Sequence, residues 1–442
     1  MGSHAGIIEV GVGSPTIENT SIVGTTTTNG IFVGGWTSPM VKGCTISGNS
    51  SGIVIDNGGG TYTGNQFKDN LHHGIYTQYG DDPGGNPIFA GNTYSNNPDG
   101  DLFFTGSIIG GKSVRWEESG QPVYGLHNLR VASGGSLSIA PNGTVKVNPN
   151  LYITVQGTLT ANNVRFTAAD AQSPWAGIRF EGAGASGSRL ENCVIEQAQG
   201  FSSSSAYAPI HISQSSPTIT GCSISASKSL GSHAGIIEVG SGSPIIENTS
   251  IVGMALTNGI YVGGGGSPIV KGCTIAGNSS GIYTDSSSVV VQGNSIANNL
   301  QWGLYYTGST ILVATDNNWG DASGPLDTSD DRASGGLYNP TGLGSKVSDH
   351  VFYYPWTGTN MGLTATPTGF GGTAGSSSVK LQWNANTEAF LGGYKIYFGT
   401  APGTYGTPVI LGGVTSYEVS GLVSGTNYYA AISSMNTVGF ER

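Results

Sequence analysis

Ile260-Tyr261-Val262, Pro268-Ile269-Val270 and Cys273-Thr274-Ile275 are three short apolar runs, separated by Gly263 to Ser267 and by Lys271-Gly272. Each run is too short for a helix, and each is bounded by turn formers, so each reads as a strand. The residue that opens the first run recurs along the chain. It is Ile8, Ile31, Ile53 and Ile75 early on, at steps of about 22–23 residues. Later it is Ile178, Ile210, Ile237, Ile260, Ile282 and Leu304, with steps shortening from about 32 to about 22. A longer repeat contains this one. Gly2 to Ile53 matches Gly231 to Ile282 at about 42 of 52 positions without a gap, which marks a duplicated block.

Three strands per turn of about 22 residues predict an all-β right-handed parallel β-helix. Coils stack about 4.8 Å apart, so equivalent side chains form ladders along the axis. Ile210, Ile237, Ile260, Ile282 and Leu304 form one inward ladder, each burial contributing about 1.5–3 kcal/mol. Glycine and asparagine supply the left-handed corners. Cys44, Cys193, Cys222 and Cys273 share one inward position with Thr249 and read as buried thiols. Cys193 and Cys222 fall in adjacent coils, where a disulfide is conceivable, although in-register parallel neighbours rarely aim their sulfurs correctly. No CxxC or histidine cluster accompanies them, which argues against a metal.

Composition narrows the function. Glycine is 74 of 442 residues and charged residues are 10%. That excludes helical bundles and coiled coils, and the glycines keep no collagen period. A net charge of -10 lacks the basic footprint of a nucleic-acid partner. No apolar run is long enough for a membrane span. No basic-then-apolar leader opens the chain, and Gly2 to Val10 is already repeat sequence. The expectation is that the natural start, with any export signal, lies upstream.

Residues 106–176 change texture, with the alternating runs Leu129-Arg130-Val131, Ser136-Leu137-Ser138-Ile139, Thr144-Val145-Lys146-Val147 and Tyr152-Ile153-Thr154-Val155. This stretch resembles the opening coils of bacterial extracellular, pectin-lyase-like right-handed β-helix proteins. Asp316-Asn317-Asn318-Trp319-Gly320, followed by Ser323-Gly324-Pro325, is similar to the NNWWG-x-x-SGP ending of the same broad family, with one tryptophan fewer. The resemblance implies two tandem modules, 1–105 and 106–356, with Trp319 capping the last coil. After a linker at 357–366, residues 367–442 change period. Val379 to Trp383, Tyr394 to Phe398, Tyr417 to Val419 and Tyr428 to Ile432 alternate at sandwich spacing. This resembles a fibronectin type III domain, which implies Trp383 as core tryptophan and Leu422 to Tyr428 as a tyrosine corner. The chain stops before that domain's last strand, so both ends are expected to be cut.

The outward residue after each opening apolar residue forms a row. In the second module it reads Arg179, His211, Glu238, Tyr261, Tyr283, Tyr305, and in the first copy Glu9, Phe32, Val54, Tyr76. Tyr261, Tyr283 and Tyr305 are candidates for a sugar-stacking platform. Arg179, His211 and Glu238 are the candidate catalytic or charge-supplying groups beside it. The alternative is a solvated sheet face whose aromatic and charged residues pair with one another. His72-His73-Gly74 bears a faint resemblance to the histidine-glycine element of polygalacturonases, but the companion elements are missing. Asp81-Asp82 and Asp330-Asp331 are carboxylate pairs in turn-rich loops. Asp99 and Asp101 are the candidate calcium ligands. The leading expectation is an extracellular or cell-surface module that binds polysaccharide or serves adhesion and display. A polysaccharide lyase or glycoside hydrolase is the runner-up, and a ligand-free structural fibre segment the third reading.

Overall fold

The structure is a computed structural model, and it describes residues 6–79, 87–118, 123–200, 208–226, 235–253, 257–358, 364–388 and 390–441. It divides into two compact units, residues 1–279 and 280–442. Among the described residues there is no α-helix, only strands and two short 3-10 turns. The chain is a parallel β-solenoid.

In the first unit, three-residue strands repeat because each coil turns at fixed left-handed positions. One corner is occupied by Asn19, Gly43, Gly64 and Gly91, and later by Asn163, Asn192, Gly221, Asn248 and Gly272, all at positive φ. Asparagine tolerates this backbone and glycine adopts it without steric cost. Every strand then pairs in parallel with its equivalent one coil away. Ile8, Ile31, Ile53, Ile75 and Leu102 form one inward ladder. Ile178, Ile210, Ile237 and Ile260 form another, as the sequence period predicts. A second-sheet ladder runs Ile17, Val41, Tyr62, Phe89, Trp116, Ile139, Ala161, Leu190, Ile219, Ile246, Val270.

That continuity bears on the expected module boundary at residue 105. The boundary falls inside the strand Gly100–Ile108, which pairs with His73–Tyr79 on one side and Val123–Val131 on the other. The coils before and after it therefore share one core. Val123–Val131 is also a fork. Its first half pairs with Thr144–Val147 and its second with Tyr152–Val155. Two outward rows thus start from one nine-residue strand.

Apart from the exposed Thr20 after Asn19, the residue after each of these left-handed corners is buried. Here Cys44, Asn65 and Asn92 stack, and their amides bond from coil to coil. The Cys44 N–H donates to Asn65 Oδ1 at 2.9 Å, Asn65 Nδ2 to Asn92 Oδ1 at 3.0 Å, and Asn92 Nδ2 to Glu118 Oε1 at 2.6 Å. Buried polar groups are tolerated because each finds a partner. Cys193, Cys222 and Cys273 hold the same position further on. All four cysteines are buried free thiols, bonded to backbone carbonyls.

The second unit begins with coils in which Ser280–Thr284 pairs with Trp302–Tyr306. Trp319 is buried, its ring packed over Gly303. It covers the apolar end of that coil, the capping place expected for it. Residues beyond 364 form two antiparallel three-stranded sheets. One joins Gly371–Ala374, Ser378–Gln382 and Ser416–Ser420; the other joins Val409–Leu411, Leu391–Gly399 and Tyr429–Asn436. Leu381, Trp383, Tyr394 and Ile396 form their shared core. The Val423 N–H donates to Tyr428 Oη at 3.2 Å. Part of the expected linker at 357–366 lies outside the described residues; Thr364 is buried and bonds Ser434 at 2.8 Å.

Candidate functional site

The first-unit row forms as the spacing predicts. Arg179 is in register with His211, His211 with Glu238, and Glu238 with Tyr261. Arg130 and Thr154 extend it backwards from the fork. Flanking positions on these strands are filled by buried isoleucine, valine and phenylalanine. The alternation of the pleat therefore turns the row outward.

Arg179 is held from two sides. Its Nη2 lies 2.5 Å from Glu181 Oε1, and its guanidinium carbon sits 5.1 Å above the Tyr152 ring. Glu181 also accepts from Gln156 Nε2 at 3.2 Å, and Gln156 Oε1 accepts from Arg130 Nη2 at 2.6 Å. Two guanidinium groups are thus braced by one carboxylate and one amide. Sequence reasoning missed Glu181, although Arg179 and Glu181 are two apart on one strand and so share a face.

His211 and Glu238 face each other across one coil step. Nδ1 lies 3.8 Å from Oε1, and only 13% of each side chain is exposed. Burial lowers the His211 pKa below its ordinary value, and the positive charge of Arg179 adds to this; Glu181 opposes it. Burial holds the Glu238 carboxyl up to about 7. Both shifts oppose the charged forms, and at 3.8 Å the contact is beyond hydrogen-bond length. Arg179 Nε, His211 Nδ1 and Glu238 Oε2 have no hydrogen-bond partner among the described residues. Chemically the group can give up a proton at Glu238, accept one at His211, and hold an anion at Arg179.

Tyr283 and Tyr305 lie in the second unit, in register with each other. Their rings meet edge to face, with centroids 5.2 Å apart and planes at 60°. Trp302 joins them, 4.9 Å from Tyr305, and Lys346 Nζ lies 4.2 Å from the Trp302 ring centre. The two tyrosines make a clustered aromatic edge here, not a flat shelf. The reason is that edge-to-face packing suits the ring quadrupoles better than direct overlap.

The remaining candidates are engaged in other ways. Asp99 Oδ2 lies 2.7 Å from His72 Nδ1, and Asp101 Oδ2 accepts from the Val123 N–H at 3.4 Å. No group of three or more His, Cys, Asp or Glu side chains that could hold a metal ion occurs among the described residues. His73 packs against Phe103, and burial lowers its pKa to about 4. Asp330 pairs with Arg332 at 2.7 Å, and Asp331 accepts from the His350 N–H, so that carboxylate pair braces a loop. Asp81 and Asp82 lie outside the described residues. Among the described residues, no helix is long and apolar enough to cross a membrane.

A family model described as the right-handed β-helix region matches residues 2–114 and 150–321, together more than half of the chain. No curated protein matches it. Parallel coils, inward ladders and this match agree, and the chain belongs to the right-handed β-helix family.

Proposed function

We propose that this protein is an extracellular or cell-surface β-helical module that binds a linear polysaccharide along the row Arg179, His211, Glu238, Tyr261. The observation that carries the reading is the register of these four side chains, one per coil on one face. A polymer lying along the axis meets a new group about every 4.8 Å. Tyr261 offers a ring face to a sugar, and Arg179 offers a fork of donors to hydroxyls or carboxylates. The extracellular placement rests on the sequence resemblance to bacterial extracellular β-helix proteins. The buried Trp383 and the Tyr428 corner bond support reading the terminal sandwich as a fibronectin type III spacer. Migration in native gels containing neutral or uronate polysaccharide tests the proposal. The wild type is expected to be retarded by at least one polymer, and Tyr261→Ala to lose most of that retardation. Equal retardation of both proteins removes Tyr261 from the site.

A second reading is favoured by one specific observation, the Glu238 carboxyl held up to about 7 beside a neutral imidazole. That is the pairing a lyase or hydrolase uses to move protons, with Glu238 as acid and His211 as base. Mass spectrometry of the retained polysaccharide separates the readings. Shortened or unsaturated products that vanish in Glu238→Gln make the row catalytic; an intact polymer makes it a binding face.

A further inference from the structure

Strand alternation places Lys395 on the outer face of the sandwich, because its neighbours Tyr394 and Ile396 belong to the core between the sheets. Met435 lies on the same face, opposite Gly393 on the adjacent strand. On a sandwich standing free, a lysine and a methionine placed this way would meet water. Here only 4% of the Lys395 side chain is exposed, and Met435 is fully buried. A lysine is almost never this buried unless it is paired and covered. The cover comes from the segment that follows the terminal coils.

Arg332 supplies the first contact. Asp330 holds its guanidinium through two hydrogen bonds, at 2.8 and 2.7 Å, and the Tyr338 ring lies 5.2 Å from it. Its Nη1 then reaches Met435 Sδ at 3.8 Å. Gly439 makes room for the arginine stem, since a Cβ there would lie 2.5 Å from Arg332 Cδ. The backbone joins as well, with the Tyr338 N–H donating to the Val438 carbonyl at 2.9 Å. Phe440 stacks on Tyr354 with ring centroids 4.7 Å apart and meets Phe352 at 6.0 Å. Phe352 is tied to the coils, because Val351–Phe352 pairs with Leu312–Val313. Asn436 shapes the turn that carries Val438 and Phe440, its Oδ1 accepting from their N–H groups at 3.2 and 2.9 Å. Lys395 Nζ lies 3.7 Å from Glu441 Oε1, so the buried cation has a carboxylate beside it.

We propose that the sandwich is a fixed spacer, not a hinged one. Its outer face around Met435 and its turn Asn436–Phe440 dock on Arg332, Tyr338 and Tyr354, so that the terminal coils and the sandwich move as one body. The expected linker at 357–366 then serves as a connection and not as a joint. The surface is polar where Tyr338 meets Val438 and aromatic where Phe440 meets Tyr354, and the two together fix a single orientation. The inference does not rest on the polysaccharide row, which lies in the other unit.

Pulsed electron paramagnetic resonance of the full chain tests the assignment. Nitroxide labels go on Leu343→Cys, beside the terminal coils, and on Val423→Cys, in the sandwich; both positions are exposed, whereas the four native thiols are buried. The otherwise unaltered chain is expected to give one narrow distance distribution. Phe440→Ala and, separately, Arg332→Met are each expected to widen it at least twofold. Arg332→Met leaves the sandwich sequence untouched, so its effect reads docking and not the folding of the sandwich. Circular dichroism checks that each variant keeps its strands. A broad or multiple distribution in the chain without these two substitutions overturns the proposal on its own. A narrow distribution that neither substitution widens also overturns it, because the named contacts would then not be what holds the sandwich.

Discussion

Glu238 makes stability depend on pH in a way that one substitution isolates. Its carboxyl has an ordinary value of 4.5 and is held up to about 7 by burial in the folded chain. Below about pH 4.5 it is protonated in both folded and unfolded chains, and its contribution is fully present. Between 4.5 and 7 the unfolded chain sheds a proton that the fold retains, so stability falls as pH rises. Above 7 the loss is complete. Its size follows from the difference in proton affinity and is on the order of 3 kcal/mol. Glu238→Gln keeps the shape and hydrogen-bonding capacity but cannot ionise. The variant should match the wild type near pH 4.5 and exceed it by on the order of 3 kcal/mol at pH 8. For a unit of this size that is about 6 °C in melting temperature. Calorimetry of both proteins at pH 4.5, 6, 7 and 8 reads the difference. Other buried groups away from the site, including Asp101 and Asp327, titrate in both proteins and cancel. Parallel melting curves across the whole range would refute the reasoning, because they would mean that Glu238 ionises in the fold as freely as in water.

Three further outcomes follow from the core and its cap. Asn92→Leu leaves the Glu118 carboxylate and the Asn65 amide without their shared partner, and urea unfolding should show a loss of about 2–4 kcal/mol. A loss below about 0.5 kcal/mol would mean that the amide ladder contributes nothing net. Trp319→Ala uncovers the coil at Gly303 and should cost about 3–5 kcal/mol, with hydrogen exchange rising first at Trp302–Tyr306. The four thiols should resist a thiol reagent in the native protein and react completely in denaturant, since all are buried and none is in a disulfide. Rapid native modification of any one of them would contradict its ladder position.

The parts of the fold that depend on periodicity were readable from the chain. Ile178, Ile210, Ile237 and Ile260 fall in register because the step between them is set by coil length. Placing Glu238 beside His211 and Tyr261 needed that register together with one extra residue in the next coil before Ser267-Pro268. What depended on side-chain burial was not readable. Nothing in the letters shows that His211 and Glu238 are largely shielded from water, and it is that shielding which shifts both proton affinities. The edge-to-face arrangement of Tyr283 and Tyr305 is a matter of rotamers, which a row of tyrosines does not encode. The boundary placed at residue 105 followed a change of texture. Pairing of Gly100–Ile108 with strands on both sides shows that the change marks a fork within a shared core.

Carbene footprinting of side chains, with and without a polysaccharide that retards the protein, tests the row most directly. The expected result is protection of Arg179, His211, Glu238 and Tyr261 together, with the outward residues of the second sheet labelled as before. Unchanged labelling of those four, or protection confined to another face, would contradict the assignment of this row as the polymer-binding surface.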